Sequence, residues 1–259
     1  MVEIKTPGEI QAMRASGRVV AQILATVRAQ AAAGMRLSEL DEAARAVLAA
    51  AGATSPFLGY RPAFAPVPYP AAICASVNDA ALHGIPDRYR LVDGDLLSVD
   101  CGAVLDGWAA DAAISFTIGP PRPADARLIA TTEAALRAGI AAAAPGARIG
   151  DISAVIGAAG RAGGYGICTD FGGHGVGRAM HEDPQIPNYG APGRGPLLAE
   201  GMTFAIEPMI TAGEPDVVVL DDEWSISTAD GSLAAHFEHT VAITDAGPHV
   251  LTAGALLLR

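Results

Sequence analysis

The sequence of 259 residues predicts one domain of the α/β (α+β) class, two related halves arranged around antiparallel strands. Three observations predict it. The stretch from Leu96 to Ile118, LLSVDCGAVLDGWAADAAISFTI, reads as two apolar strands joined at Asp106-Gly107, a strong hairpin signal. A pair of amphipathic helices precedes each of two strands that end in an acid. The chain also echoes itself: GMRLSEL from Gly34 matches GARIGDI from Gly146, and LVDGDLLSVD ending at Asp100 matches LAEGMTFAIE ending at Glu207. The offsets, 112 and 107 residues, are similar and the matches keep their order. Duplication accounts for that better than chance likeness between Ala- and Gly-rich segments.

The elements follow in order. Thr6-Pro7-Gly8-Glu9 is a helix start, with Thr6 as cap, Pro7 in the first turn and Glu9 completing a capping box. Ile10, Met13, Gly17, Val20, Leu24, Val27 and Ala31 then recur at helical spacing, and Gly34 is the expected stop. Ser38 opens a second helix that Gly52 closes. The segment TSPFLGYRPAFAPVPYP, Thr54 to Pro70, is an irregular loop whose aromatics call for burial. AAICASVN reads as a strand, and His83-Gly84-Ile85-Pro86 as a turn. Past the hairpin, Pro120 to Pro123 break the chain. Helices are expected from about Ala124 to Ala144 and from Ile149 to about Gly160. A Gly-rich segment from Gly163 to Gly177 holds His174, and HEDPQIP at His181 reads as a turn. Strands are expected at Thr203–Ile210, Val217–Leu220, Ser225–Thr228 and Phe237–Ile243.

Composition narrows the function. Hydrophobic residues make up 51% and charged residues 17%, which excludes disorder as the main state. The net charge of −11 comes without any Lys/Arg run, so direct nucleic-acid binding is not expected. No stretch is apolar for the roughly 18 residues of a membrane span, and the start shows no secretory pattern. Cys74, Cys101 and Cys168 form no CxxC and read as reduced, buried thiols of a cytoplasmic protein.

Asp100 and Asp111 lie on adjacent strands in apolar surroundings. A buried carboxylate is costly unless it is paired or binds a metal. His174, Glu207 and Glu238 each sit in or beside another apolar run. One imidazole and four carboxylates make a hard site suited to a pair of divalent ions. Glu207-Pro208 means that the strand is distorted or at a sheet edge just after the acid, because Pro208 cannot donate to a sheet. Alternation around Glu238 fits a solvent-facing residue equally well. His83 and His181 could donate hydrogen bonds to a developing oxyanion beside such a centre. The glycines around His174 fit close backbone approach; a phosphate loop does not fit, because no Lys-Ser/Thr follows.

Five segments together, HGIP at His83, VDCGAVLDGWAAD from Val99, GGHGVGRAMHEDPQIPNYG from Gly172, GMTFAIEPM from Gly201 and EHTVAIT from Glu238, resemble the type I methionine aminopeptidases. The resemblance implies a "pita-bread" fold of two pseudo-symmetric halves around a central antiparallel sheet. It implies Asp100, Asp111, His174, Glu207 and Glu238 as ligands of two divalent ions, with Co, Mn, Fe, Zn and Ni left open. It implies a methionine pocket lined by Tyr60, Tyr69, Cys74 and Trp224, with Met180 where an aromatic is common. The implied reaction removes the initiator methionine from nascent chains with a small second residue, by attack of a metal-bridging hydroxide. Glu207 would shuttle the proton, His181 would stabilise the oxyanion and His83 would orient the amide. The expected setting is a cytoplasmic monomer acting on nascent N-termini; ribosome contact is a family expectation to which this acidic chain adds nothing. Arg61 to Pro68 are inserted between the two pocket tyrosines, and Ala112 stands where Thr is common. A prolidase-like or Xaa-Pro aminopeptidase and a non-catalytic binding module are the rival readings.

Overall fold

The computed structural model describes residues 2–62 and 65–254. Helix α1 (Pro7–Gln30) starts in the expected capping box: the Thr6 hydroxyl accepts from the Glu9 amide, and the Glu9 carboxylate accepts from the Thr6 amide. It buries Met13, Val20, Ile23, Leu24 and Val27. It ends at Gln30, short of Gly34, because Ala31 is already extended and the Gly34 amide bonds the Leu91 carbonyl. Helix α2 (Leu37–Ala51) ends on Gly52 in the left-handed region. Strands β1 (Ile73–Val77), β2 (Ala80–Leu82), β3 (Leu96–Leu105) and β4 (Trp108–Thr117) follow. Asp106 and Gly107 both have positive φ, 51° and 76°, as the tight turn between β3 and β4 requires.

The second half repeats this plan with α3 (Pro123–Ala142) and α4 (Ile149–Ala162). Its strands are β5 (Gly166–Ile167), β6 (Gly172–Gly175), β7 (Glu182–Pro187), β8 (Thr203–Ile206), β9 (Met209–Thr211), β10 (Val217–Val219), β11 (Ile226–Thr228), β12 (Ala234–His236), β13 (Glu238–Thr244) and β14 (Gly247–Val250). The main sheet runs β1-β3-β4-β13-β8-β6-β7, with β14 paired to β13; its paired strands are antiparallel. Two three-stranded sheets, β10-β11-β2 and β12-β9-β5, flank it. Helices α1 and α2 pack on the first half, and α3 and α4 on the second. The core between helices and sheet includes Ile23, Leu24, Leu40, Leu96, Leu97, Leu128, Ile152 and Phe204. Each such side chain contributes about 1.5–3 kcal/mol by leaving water.

The duplication is visible as repeated hydrogen bonds. Arg36 forms an isolated antiparallel bridge with Arg90, and Arg148 forms one with Leu197. The Leu37 amide donates to the Tyr89 carbonyl and the Ile149 amide to the Pro196 carbonyl, both at 3.1 Å. These partners are separated by the same 112 and 107 residues as the sequence echo.

Three readings are corrected. HEDPQIP is not a turn: from Glu182 it forms β7, whose Gln185 and Ile186 pair with His174 and Gly173. Its prolines are tolerated because β7 is the edge of the sheet. The run expected at Thr203–Ile210 is broken between Ile206 and Met209. The run expected from Phe237 starts at Ala234 and is interrupted at Phe237 itself. Part of the Arg61–Pro68 insertion, residues 63 and 64, lies outside the described residues.

Candidate active site

Register places the acids. Cys74 on β1 pairs with Asp100 on β3, Asp100 with Ala113 on β4, and Ala113 with Glu238 on β13. The pairing of His239 with Ile206 and of His236 with Met209 share one register. Glu238 therefore falls opposite Glu207, and Phe237 opposite Pro208, whose carbonyl accepts from the Phe237 amide. Cys74, Asp100, Ala113, Glu238 and Glu207 form one row across four strands and the break between β8 and β9. Residues in such a row project to the same face. Ala113 in its middle has only a methyl, which leaves room between Asp100 and Glu238. Asp111 pairs with Gly102, one pleat along β4 from Ala113, and so joins the same face. Glu238 is 2% exposed, which removes the solvent-facing reading.

His174 enters from β6. Its Nδ1 lies 2.9 Å from the Gly175 carbonyl, which can only accept, so in the neutral ring Nε2 carries the lone pair. That Nε2 lies 3.6 Å from both Asp111 Oδ2 and Glu207 Oε1. The neighbouring glycines are required by close approach: a Cβ on Gly173 would strike the Ala205 carbonyl, and one on Gly175 the Asp183 carbonyl. The hydroxyl beside Asp111 comes from the next strand rather than from residue 112. Thr240 Oγ1 accepts from the Asp111 amide at 2.9 Å and lies 3.0 Å from Asp111 Oδ1. Ala112 is fully buried in the core.

Without a cation this arrangement is electrostatically unfavourable. Burial, then repulsion from Asp111, raises Asp100 well above the carboxylate range. Burial and the neighbouring aspartates do the same to Glu207, and Glu238 is raised by burial, Asp111, Glu207 and Asp100. Asp111 rises to about 6, mainly through burial, although His181 and Thr240 pull it down. Buried Asp100 Oδ1 and Glu238 Oε1 have no hydrogen-bond partner among the described residues. Ligand atoms of Asp111, His174 and Glu238 lie within 4.8 Å of one another. Orphaned buried oxygens, a hard donor set and one lone pair aimed inward fit divalent ions. These residues are suited to hold them.

One cavity of about 500 Å³ is lined by all the expected residues: Tyr60, Tyr69, Cys74, His83, Asp100, Asp111, His174, Met180, His181, Glu207, Trp224 and Glu238. Tyr69 meets Trp224 edge-on at 5.1 Å, and its hydroxyl lies 2.9 Å from the Gly84 carbonyl. The Trp224 indole N–H donates to Val67 in the inserted segment at 3.0 Å. Burial, then Asp100, pushes the Cys74 thiol up, so it is protonated and serves as an apolar wall. Tyr60 stacks on His181 at 5.2 Å. His181 is solvent-exposed as a residue, yet desolvation by the atoms packed around its ring, then the neighbouring His174, brings its pKa to about 4. Burial and His181 bring His83 to about 4 as well. His83 holds the left-handed backbone region, φ 57°, and packs edge-on to Phe171 and Trp224. Sequence reasoning missed Phe171, Gln185 and Tyr189, which also line the cavity, and His236 behind Glu207. Gln185 and Tyr189 lie inside the motif that starts at Gly172, where no spacing sets them apart, and Phe171 and His236 lie just outside the motifs.

Paired halves closing on one buried cluster of four carboxylates and the His174 imidazole, with His83 and His181 beside them, define a metal-dependent hydrolase. The sequence profile of metallopeptidase family M24 matches residues 11–245. The chain belongs to that family. It is 52% identical to methionine aminopeptidase 1 of Mycobacterium tuberculosis, over 98% of this chain and 96% of that one. It is 43% identical to the methionine aminopeptidase of Clostridium acetobutylicum, over 97% and 99%. The crystal structure of methionine aminopeptidase from Thermotoga maritima superposes with a TM-score of 0.94 at 40% identity, covering 98% of this chain and all of that one. The prolidase from Pyrococcus furiosus shares the fold, with a TM-score of 0.74 at 23% identity; the match covers 97% of this chain and 65% of that one. The pita-bread architecture expected from the motifs is the one this chain has.

Proposed function

We propose that this chain is an aminopeptidase that removes the initiator methionine from nascent proteins whose second residue is small. The carrying observation is the adjacency, in one cavity, of the five potential ligands and an apolar wall of Tyr69, Cys74, Met180 and Trp224. Identity of 52% and 43% to methionine aminopeptidases over almost the whole chain supports the same reading. The prolidase rival shares fold at 23% identity. The working form we propose is a cytoplasmic monomer in which the whole chain is one catalytic domain.

Asp100, Asp111, His174, Glu207 and Glu238 would hold two divalent ions, and the donor set accommodates Co, Mn, Fe, Zn or Ni. Bound there, such ions lower the pKa of a coordinated water towards ~7 and polarise a carbonyl. The chain's own residues do the rest. Glu207 Oε1, the oxygen facing His174, takes the proton of the attacking water and delivers it to the leaving amine. His181 is neutral at working pH, so its ring N–H donates to the tetrahedral oxyanion, and the Tyr60 stack holds the ring in place. His83, fixed between Phe171 and Trp224, orients the scissile amide. Seating a free α-amine beside the acids gives exopeptidase action, since a blocked N-terminus cannot enter there.

The thiol, thioether and aromatic wall suits an unbranched sulfur side chain. Val and Ile, stiff at χ1, enter a narrow slot poorly. The test is kcat/KM on Met-Ala-Ser, Leu-Ala-Ser, Met-Leu-Ser and Ala-Pro-Ser with purified, metal-loaded protein. Met-Ala-Ser is expected to lead. Equal cleavage of Leu-Ala-Ser or Met-Leu-Ser would defeat methionine excision, and preference for Ala-Pro-Ser would establish the prolidase-like rival.

A further inference from the structure

His236 is absent from the motif that assigns the other residues, and it does not line the cavity. It ends β12, is 2% exposed and stands opposite Met209. Its backbone is held from both sides by one hydroxyl: its amide donates to Ser115 Oγ, and Ser115 Oγ donates to its carbonyl, each at 2.8 Å. These bonds hold the backbone from which the ring reaches towards Glu207. Its Nε2 is one of the few buried side-chain atoms with no hydrogen-bond partner among the described residues, and it lies 3.7 Å from Glu207 Oε2. The other oxygen, Oε1, lies 3.6 Å from His174 Nε2. The Glu207 carboxylate thus spans two imidazoles, one for each oxygen. His174 offers it a lone pair from the cavity side. His236 faces it from the protein side, and a neutral ring with its proton on Nε2 can donate there. Closing 3.7 Å to the usual N–H···O distance of about 2.9 Å needs a shift of about 0.8 Å, within the reach of two side-chain torsions.

We propose that His236 is a positioning residue that donates Nε2–H to Glu207 Oε2 and so fixes the rotation of that carboxylate, aiming Oε1 at His174 and Asp111. The inference rests on the metal reading of the cavity. Among the described residues no other side-chain donor meets Glu207 Oε2, and its main-chain carbonyl is separately anchored by the Asn188 side-chain amide at 3.0 Å. Backbone anchoring sets where Glu207 sits; His236 sets which way its carboxylate faces. Groups that orient a ligand from behind are worth about 10–100-fold in metal affinity or activity.

The test uses the full chain and two variants. His236→Gln keeps an amide donor of similar reach, and His236→Leu keeps bulk without a donor. Mn²⁺ affinity of metal-free protein is measured by calorimetry, together with kcat and KM for Met-Ala-Ser. The expected result is that the Gln variant stays within ~3-fold of wild type. The Leu variant loses ~10–100-fold in Mn²⁺ affinity and in kcat, with KM nearly unchanged. In a Glu207→Gln background the His236→Leu effect on Mn²⁺ affinity should vanish, because the residue acts through that carboxylate. If the Leu variant does not fold, His236→Asn, whose amide is too short to reach Oε2, takes its place and should show the same loss. Wild-type affinity in the Leu or Asn variant overturns the inference, as does an undiminished loss in the Glu207→Gln background. Failure of the wild-type chain to bind Mn²⁺ at all overturns the metal reading instead.

Discussion

Glu207 and Glu238 stand directly opposite one another at the level where both of their strands break, Glu207 between β8 and β9 and Glu238 at the start of β13. Two buried like charges in register are stable only with protons or cations between them. The metal-free protein should therefore show an inverted pH dependence. Glu207, Glu238 and Asp100 are raised well above the carboxylate range and Asp111 to about 6. A carboxyl with a raised folded pKa contributes stability below its unfolded value of about 4, and loses it as pH rises through the folded value. The histidines oppose this at acid pH. Burial holds His83, His181 and His239 at about 4 and His236 at about 3, so their contribution is lost as pH falls below about 6.5. Above pH ~6.5 the histidines add no further slope, and the raised thiols of Cys74, Cys101 and Cys168 join the carboxyls, with the same sign, only towards their unfolded value of about 8.5. The urea midpoint of chelator-treated protein should fall between pH 6.5 and 8.5, and Asp100→Asn should flatten that fall; a midpoint that climbs over this range would refute the arrangement.

Asp111 depends on Thr240. Thr240→Val keeps the shape but leaves the buried Asp111 amide without its acceptor, at a cost of about 1–3 kcal/mol. Urea unfolding should register that loss, and Thr240→Ser should recover most of it. Introducing Thr at Ala112 should not compensate, because that side chain faces the core.

His181 is given a role at the oxyanion and none in metal binding. His181→Ala should lower kcat by about 10²–10³-fold while elemental analysis finds the bound metal unchanged. Metal loss in that variant would reassign the residue.

The N-terminal segment is tied to the site by charge. Lys5 Nζ lies 2.6 Å from Glu182 Oε2, with the lysine side chain 2% exposed and the glutamate side chain 15% exposed. Lys5→Met should destabilise the fold by about 3 kcal/mol, the low end for a broken buried pair, because Glu182 keeps some water contact. Adding Glu182→Gln should return part of that loss in a melting experiment.

What the chain reveals on reading is what local chemistry dictates. The β3–β4 hairpin was legible because Asp106-Gly107 alone can make that turn between apolar runs. The capping box at Thr6 was legible for the same reason, being settled within a few residues, and the duplication was legible because GMRLSEL and GARIGDI repeat a short local pattern. Glu238 was ambiguous because alternation distinguishes faces only when one face meets water, and here both are buried. Thr240 beside Asp111, Ser115 beneath His236 and Glu182 against Lys5 are pairings across more than a hundred residues, fixed by register that no local pattern encodes. β7 was hidden because its prolines mark a turn everywhere except on a sheet edge.

In the main sheet, the two halves meet through a ladder of only two residue pairs, Glu238 with Ala113 and His239 with Ala112. Asp100 and Asp111 belong to one side of that seam, and His174, Glu207 and Glu238 to the other. A chain severed between Ile118 and Pro123 would leave two pieces, neither with all five of the proposed ligands. Catalysis by the severed protein would then depend on how often the pieces meet, and its rate on the product of their concentrations. Continuity of the chain between β4 and α3 is what makes the site independent of dilution.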